Sequence, residues 1–459
     1  MSTKNLQVPF LPQPRMIVAN GNTCKVAGSV VYSTNMSQKE SYDYLLGMAG
    51  MTCIEKRDIV TDDLRTLYVV LGKVPQDLAM YPESDDEEAY ALCSTTDSII
   101  IAANTEKGIA MGIKLVVKLQ RAGLLTTGVL VQDYPDIHFR GVQMELFRPN
   151  DGTEKDDTTL ADVRRRLIVA ALSNYNYVFL QFWGMFPFRD QPGASWPEAY
   201  TWKEIRELID FIADDLHMIP CPTQNLVSHA AWSRLASRQH VMLDQHPERA
   251  DLYVQGGWCF ATERPQTKEF LKCIMDDLIE IFRNPPFFNV SADKCFGFAS
   301  EEEDRIVSAD VLFVKHLCFL RDYLTKKGSR MVMWSDMLYS SMDNLTWKCS
   351  PETANYLPKD ILMNVWTHND PGDYWADIDF FESKGFQTVY APFFNKAGAA
   401  SMVKLCKKHG SLGMLQTTWH RPELALPTIV YTGGVEWGSV SGDPQDEARL
   451  FAVINLYKE

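Results

Sequence analysis

The chain has 459 residues, 46% hydrophobic and 11% aromatic, too many for one small domain and apolar enough for a large core. A formal net charge of -14, with no run of Lys or Arg, argues against a nucleic-acid partner. Met1–Gln7 lacks the apolar segment of a signal peptide, and no stretch reaches the ~18 apolar residues of a membrane helix, so a cytoplasmic protein without membrane contact is expected. The ten cysteines are scattered singly, without a Cys-Xaa-Xaa-Cys pair, which points to neither a metal site nor a disulfide framework.

Residues 1–133 read as a small α+β domain. Segments 24–32, 66–71 and 98–103 are rich in β-branched residues and predict strands; 106–121 predicts a helix stopped by Gly123. The acidic stretch 83–88 between them is expected to be solvated. Asp133-Tyr134-Pro135-Asp136 punctuates the end of this unit.

From 134 to 459 the pattern changes to strands alternating with amphipathic helices. Leu160, Val163, Leu167 and Ala171 share one helical face, as do Leu271, Ile274, Met275, Leu278 and Phe282. Helices end repeatedly in a Lys-Gly stop before a strand, at Gly328, Gly385 and Gly410. Strand candidates fall at 139–146, 176–182, 217–222, 294–299, 331–334, 361–366, 386–391 and 414–419. Eight such units predict a closed (β/α)8 TIM barrel; an open doubly wound sheet is the alternative.

Chemistry in a barrel of this kind sits at the C-terminal strand ends. The candidate fourth strand runs into Ser300-Glu301-Glu302-Glu303-Asp304, where adjacent carboxylates could share the cleavage of a glycosidic bond. The same residues also fit a helix start capped by Ser300, and for Glu301 and Glu302 the two readings are evenly matched. Trp334, Trp366 and Trp419 end three other strands, and Trp183 follows a fourth. One such tryptophan is core packing; several on one rim suit the apolar face of a sugar ring. Arg140, at the start of the barrel, could bind ring hydroxyls or serve a structural ion pair.

Several segments together resemble glycoside hydrolase family 20, the β-N-acetylhexosaminidases. They are Asp133-Tyr134-Pro135, Phe139-Arg140-Gly141-Val142, Tyr200-Thr201-Trp202, Pro222 with His229, Val332-Met333-Trp334-Ser335-Asp336, Asn364-Val365-Trp366 and Ala391-Pro392-Phe393-Phe394-Asn395. The resemblance implies a retaining, exo-acting hydrolase for terminal β-linked N-acetylgalactosamine or N-acetylglucosamine, with the substrate's acetamido oxygen as nucleophile. It implies an oligosaccharide or glycoconjugate as substrate, no cofactor and no metal, and leaves room for a homodimer. The family motif His-Xaa-Gly-Gly-Asp-Glu closes strand four. Set against 297–302, it makes Glu302 the general acid and Glu301 the carboxylate that orients the acetamido group. Arg140, His229, Trp334, Trp366 and Trp419 become sugar contacts by the same resemblance. Phe394 stands where a tyrosine hydroxyl is usual, with Tyr390 as the substitute; Arg421 stands for a hydroxyl-binding glutamate, with Glu423 compensating and Asn395 nearby. These exchanges imply a preference between the epimers, leaning to N-acetylgalactosamine. A binding protein without catalysis, or a glycosidase for another sugar, is the rival reading.

Overall fold

The computed structural model describes residues 6–36, 41–61, 65–146, 159–231, 241–295, 297–300, 307–339, 349–419, 422–438 and 454. The N-terminal layer is a seven-stranded sheet: β1 (Met16–Thr23), β2 (Gly28–Thr34), β3 (Met51–Asp58), β4 (Leu67–Gly72), β5 (Tyr90–Ser94), β6 (Ser98–Ala103) and β7 (Thr127–Asp133), in the order β1-β7-β5-β6-β4-β2-β3. The apolar run 99–103 of β6 puts it at the centre of the sheet, where the strand is buried along its whole length. Helix Glu106–Arg121, capped by the Thr105 side chain, lies close against the sheet. Gly108 permits that approach, because a Cβ there would meet the Ala89 carbonyl oxygen at 2.4 Å. Thus the expected strand at 98–103 and helix at 106–121 form as read. Strands β1, β3, β5 and β7 had not been predicted.

The second part is a closed barrel of parallel strands. They are β8 (Phe139–Glu145), β9 (Tyr177–Gln181), β10 (Ile219–Thr223), β11 (Phe287–Asn289), β12 (Arg330–Trp334), β13 (Leu362–Trp366), β14 (Thr388–Ala391) and β15 (Gly413–Gln416). The glycines of the Lys-Gly stops take positive φ, 87° at Gly328, 85° at Gly385 and 70° at Gly410, ending each helix before the next strand. At the N-terminal mouth Phe139 stacks on Tyr177 at 4.5 Å, and Phe287 meets both rings edge-on at 5.5 and 5.6 Å. Val332, Leu362, Val389 and Leu415 continue the packed interior above them. Among the described residues no helix is long and apolar enough to cross a membrane.

The fourth strand differs from expectation. It is the three-residue β11, preceded by Pro285-Pro286, and not the segment 294–299. Arg283 and Asn284, with φ of 62° and 57°, end the preceding helix, and the two prolines bar its continuation. The strand end expected just before Glu301 and Glu302 is therefore not there; both residues lie outside the described part of the chain.

Arg140 is also placed differently. As neighbour of the inward-facing Phe139, it points out of the barrel at the N-terminal end of β8, and it is fully buried. Its guanidinium donates to Glu88 at 2.6 Å and to the carbonyls of Asn174 and Ile137 at 2.8 and 2.7 Å, and lies over the Trp437 ring. Glu88 belongs to the acidic stretch expected to be solvated, yet it is only 2% exposed. A buried carboxylate needs such a partner, and the pair joins the sheet to the barrel.

Candidate active site

Barrel closure brings the C-terminal ends of β9 to β15 around a cavity of about 560 Å³. Trp334, Trp366 and Trp419 form one side, with the Trp334 and Trp419 ring centroids 5.8 Å apart. Trp183, which takes positive φ (47°), reaches in from the end of β9 and donates its indole N–H to Glu145 at 2.6 Å. Phe394 lines the cavity, as does Phe393, which stacks on His368 at 4.5 Å. The walls are thus mainly aromatic, a surface that packs on sugar C–H faces and holds water off.

Asp293 and Lys294, a carboxylate and an ammonium that line the cavity, come from the turn after β11. Ser291, Ala292 and Lys294 all take left-handed backbone conformations, with φ of 62°, 71° and 47°. Three such residues in four positions store strain, of the order of 1–3 kcal/mol each, which the surroundings must hold in place. Several bonds do so. The Ser228 hydroxyl donates to the Asp293 carbonyl, and the Trp258 indole donates to the Lys294 carbonyl at 2.6 Å. Asp336, buried beyond β12, accepts the Lys294 backbone N–H.

The result is a compact charge cluster. Lys294 Nζ donates to Asp293 Oδ2 at 2.9 Å and lies 5.0 Å from the centre of the Trp366 ring. His229 Nε2 stands 3.4 Å from the same carboxylate oxygen, and its ring is fixed against Trp258 at 4.3 Å. Burial by itself raises the Asp293 pKa, but Lys294 and His229 outweigh it and hold the carboxyl well below the usual range. Burial pulls Lys294 down, and Asp293 and Asp336 more than reverse this, so its pKa is raised. Asp336 is raised by burial, with Lys294 opposing. His368 is lowered by burial and by Lys294.

Of the residues singled out in the sequence, the structure brings His229, Trp334, Trp366 and Trp419 into this cavity. Arg140 lies at the other end of the barrel. Tyr390 lies between the inward-facing Val389 and Ala391, so it faces the surrounding helices, where its hydroxyl meets Ser411 and Glu382. It therefore does not replace the missing tyrosine hydroxyl. Asn395 uses its side chain to cap helix Lys396–His409 by accepting the Gly398 N–H at 3.0 Å. Arg421 lies outside the described residues, and of Glu423 only the helical backbone is described.

Asp293 and Lys294 had been missed. The signal was present in Pro285-Pro286 followed by the short apolar Phe287-Phe288-Asn289-Val290, which ends in Ser-Ala-Asp-Lys. Starting the motif His-Xaa-Gly-Gly-Asp-Glu from the observed strand end aligns it with Asn289-Val290-Ser291-Ala292-Asp293-Lys294. Ser291 and Ala292 then fall on its two glycines, and both have the positive φ that glycine adopts without strain. In this register the aspartate is kept and the glutamate is replaced by Lys294.

Residues 172–396 match the family model described as glycosyl hydrolase family 20, catalytic domain. Comparison of the sequence with curated proteins gives no match. Among solved structures, the chain superposes on an exo β-N-acetylglucosaminidase from Vibrio harveyi in complex with N-acetylglucosamine, with TM-score 0.69 and 13% identity over 99% of this chain and 78% of that one. It is similar to the Streptomyces plicatus N-acetyl-β-hexosaminidase, with TM-score 0.68 and 13% identity over 99% of this chain and 95% of the other. The β-N-acetylhexosaminidase from Bacteroides fragilis gives TM-score 0.65 and 15% identity over 93% of this chain and 90% of its own. Residues 172–396, which span β9 to β14, are thus similar to the catalytic domain of glycosyl hydrolase family 20, and the chain shares the fold of these solved structures.

Proposed function

We propose that the cavity takes the terminal β-linked N-acetylhexosamine of an oligosaccharide or glycoconjugate, and that the chain is an exo-acting, retaining glycoside hydrolase. The Asp293 carboxylate, kept ionised at the foot of an aromatic pocket, carries this reading. An amide N–H placed against it would be polarised, which turns the acetamido oxygen toward C1 and steadies the positive charge that develops as the ring oxazoline closes. Asp293 thereby takes the role that the sequence register had given to Glu301. The tryptophans exclude water from that step, and His229 and Asp336 hold the two halves of the cluster in place. The proposal covers both N-acetylglucosamine and N-acetylgalactosamine, because the suggested readers of the 4-hydroxyl are Arg421, the Glu423 side chain and Asn395, none of which is described lining the cavity.

One observation favours a second reading. Lys294 stands where the motif has its proton-donating glutamate, which suits a protein that holds the sugar without cleaving it. Aryl β-glycosides of both N-acetylhexosamines, run beside those of glucose and galactose, separate the two, with calorimetry on the free sugars. Turnover of the N-acetyl compounds alone supports hydrolysis; binding without turnover supports the second reading. Equal handling of plain glucosides would remove the acetamido role. Asp293→Asn should lower turnover by about 10²-fold or more, since one oriented charge is lost from the transition state.

A further inference from the structure

An ordinary glycoside leaves as an alkoxide, which needs a proton as the bond breaks, and the same group must then take a proton from water. A carboxyl group with a raised pKa can do both. Lys294 cannot do either well. Asp293 and Asp336 flank it and favour its charged form, so it is a reluctant acid and never a free base near neutral pH. An ammonium group does suit a different task, which is to neutralise a leaving group that departs as a stable anion.

We propose that the site acts on N-acetylhexosaminides whose leaving group is already an anion, with phosphate the class that fits Lys294. The inference rests on the reading of the cavity as an N-acetylhexosamine site. The side chain of Lys294 is 41% exposed, lines the cavity, and is held over Trp366 at 5.0 Å. It is therefore both fixed and reachable. A glutamate in this place would repel a phosphate dianion; an ammonium attracts it. Lys294 is at the same time adjacent to Asp293, so one turn of backbone presents the acetamido-orienting carboxylate and the cation for the departing group side by side.

The step balances without a protein acid. The ester reacts as its monoanion: the acetamido oxygen bonds to C1 while the C1–O1 bond breaks, and the hydrogen phosphate dianion leaves with the electron pair against the Lys294 ammonium. Water then bonds to C1, the C1–O bond of the oxazoline opens to restore the acetamide, and the water's proton passes to the phosphate dianion. The net reaction is glycosyl phosphate plus water to free sugar plus inorganic phosphate.

The test uses the full chain with four donors: β-N-acetylglucosamine 1-phosphate, its galactosamine epimer, a β-linked nucleoside diphosphate sugar, and a β-linked N-acetylglucosamine disaccharide. Calorimetry with N-acetylglucosamine runs alongside. Release of phosphate at a kcat/KM at least about 10²-fold above that for the disaccharide is expected, and the nucleotide donor separates a monophosphate from a diphosphate source. Lys294→Met should remove this advantage, and Lys294→Arg, which keeps the charge, should retain part of it. If the sugar does not bind at all, the underlying reading of the cavity fails. Sugar binding without cleavage of any phosphate donor overturns this inference alone, as does a disaccharide rate equal to that on the phosphates. Melting curves of both variants establish that they are folded, and a folded Lys294→Met enzyme with unchanged phosphate release also overturns it.

Discussion

The indole N–H of Trp366 donates to Asp336 across 3.1 Å. The second oxygen of that carboxylate accepts the backbone N–H of Lys294 at 3.3 Å. One buried side chain thus ties an aromatic wall of the cavity to the strained turn that carries the charge cluster. It positions both and faces neither ligand nor solvent, being 2% exposed.

Asp336→Asn keeps the volume, but turns one of the two accepting oxygens into an NH2 donor that faces the N–H it would have to accept. Leaving a buried donor unpaired costs about 1–3 kcal/mol. The affinity for N-acetylglucosamine, measured by calorimetry, should fall about tenfold or more, since 1.4 kcal/mol corresponds to a factor of ten. An unchanged dissociation constant would separate the turn from recognition.

Ala292 has φ of 71°, where a Cβ is unfavourable by roughly 1–2 kcal/mol. Ala292→Gly should therefore stabilise the protein by up to about 1 kcal/mol, after the added freedom of glycine in the unfolded chain is deducted. Urea unfolding measures this directly. A clear loss of stability would show that the turn is not strained at this residue.

The buried pair of Arg140 and Glu88 is a structural junction. Glu88→Ala leaves the guanidinium unpaired in the interior and should destabilise by about 3–5 kcal/mol. Measured at a temperature where the variant remains folded, its sugar affinity should stay within about twofold of the parent. A selective loss of affinity with little loss of stability would return Arg140 to the sugar site.

Lys114 is fully buried near Glu88 and Arg140, and burial lowers its pKa to about 7, with Glu88 opposing in part. In the unfolded chain a lysine titrates near ~10.4. Between those values the unfolded state binds more protons, so stability rises as pH increases from about 7 toward about 10. Lys118, lowered to about 8 by burial, contributes with the same sign. Lys114→Met should flatten the slope and raise stability at neutral pH. Denaturation midpoints at three pH values check this, and a parent protein that loses stability over that interval would refute it.

The local pattern was enough for much of the fold. Apolar spacing over 106–121 and a following glycine set that helix, and Lys-Gly stops marked where Gly328, Gly385 and Gly410 would turn the chain. Such signals act over a few residues, through capping and side-chain periodicity, so they survive in an isolated sequence. The tryptophans that meet at the cavity were legible for the same reason, as residues ending β12 and β13 or following β15. Strand four was not legible. Three residues carry no period, and an apolar run leading into acids looked equally like a strand end. Only closure of the barrel decides it, because a strand must bridge β10 and β12, and Phe287 fills the space beside Phe139 and Tyr177. Closure likewise decides which alternate residue faces inward and which mouth it occupies, and this removed Arg140 and Tyr390 from the site. Glu88 reads as one more solvated acid until Arg140, 52 residues away, makes its burial tolerable. Asp293 and Lys294 acquire their chemistry in the same way, from His229, Trp366 and Asp336, which reach them only across the folded barrel.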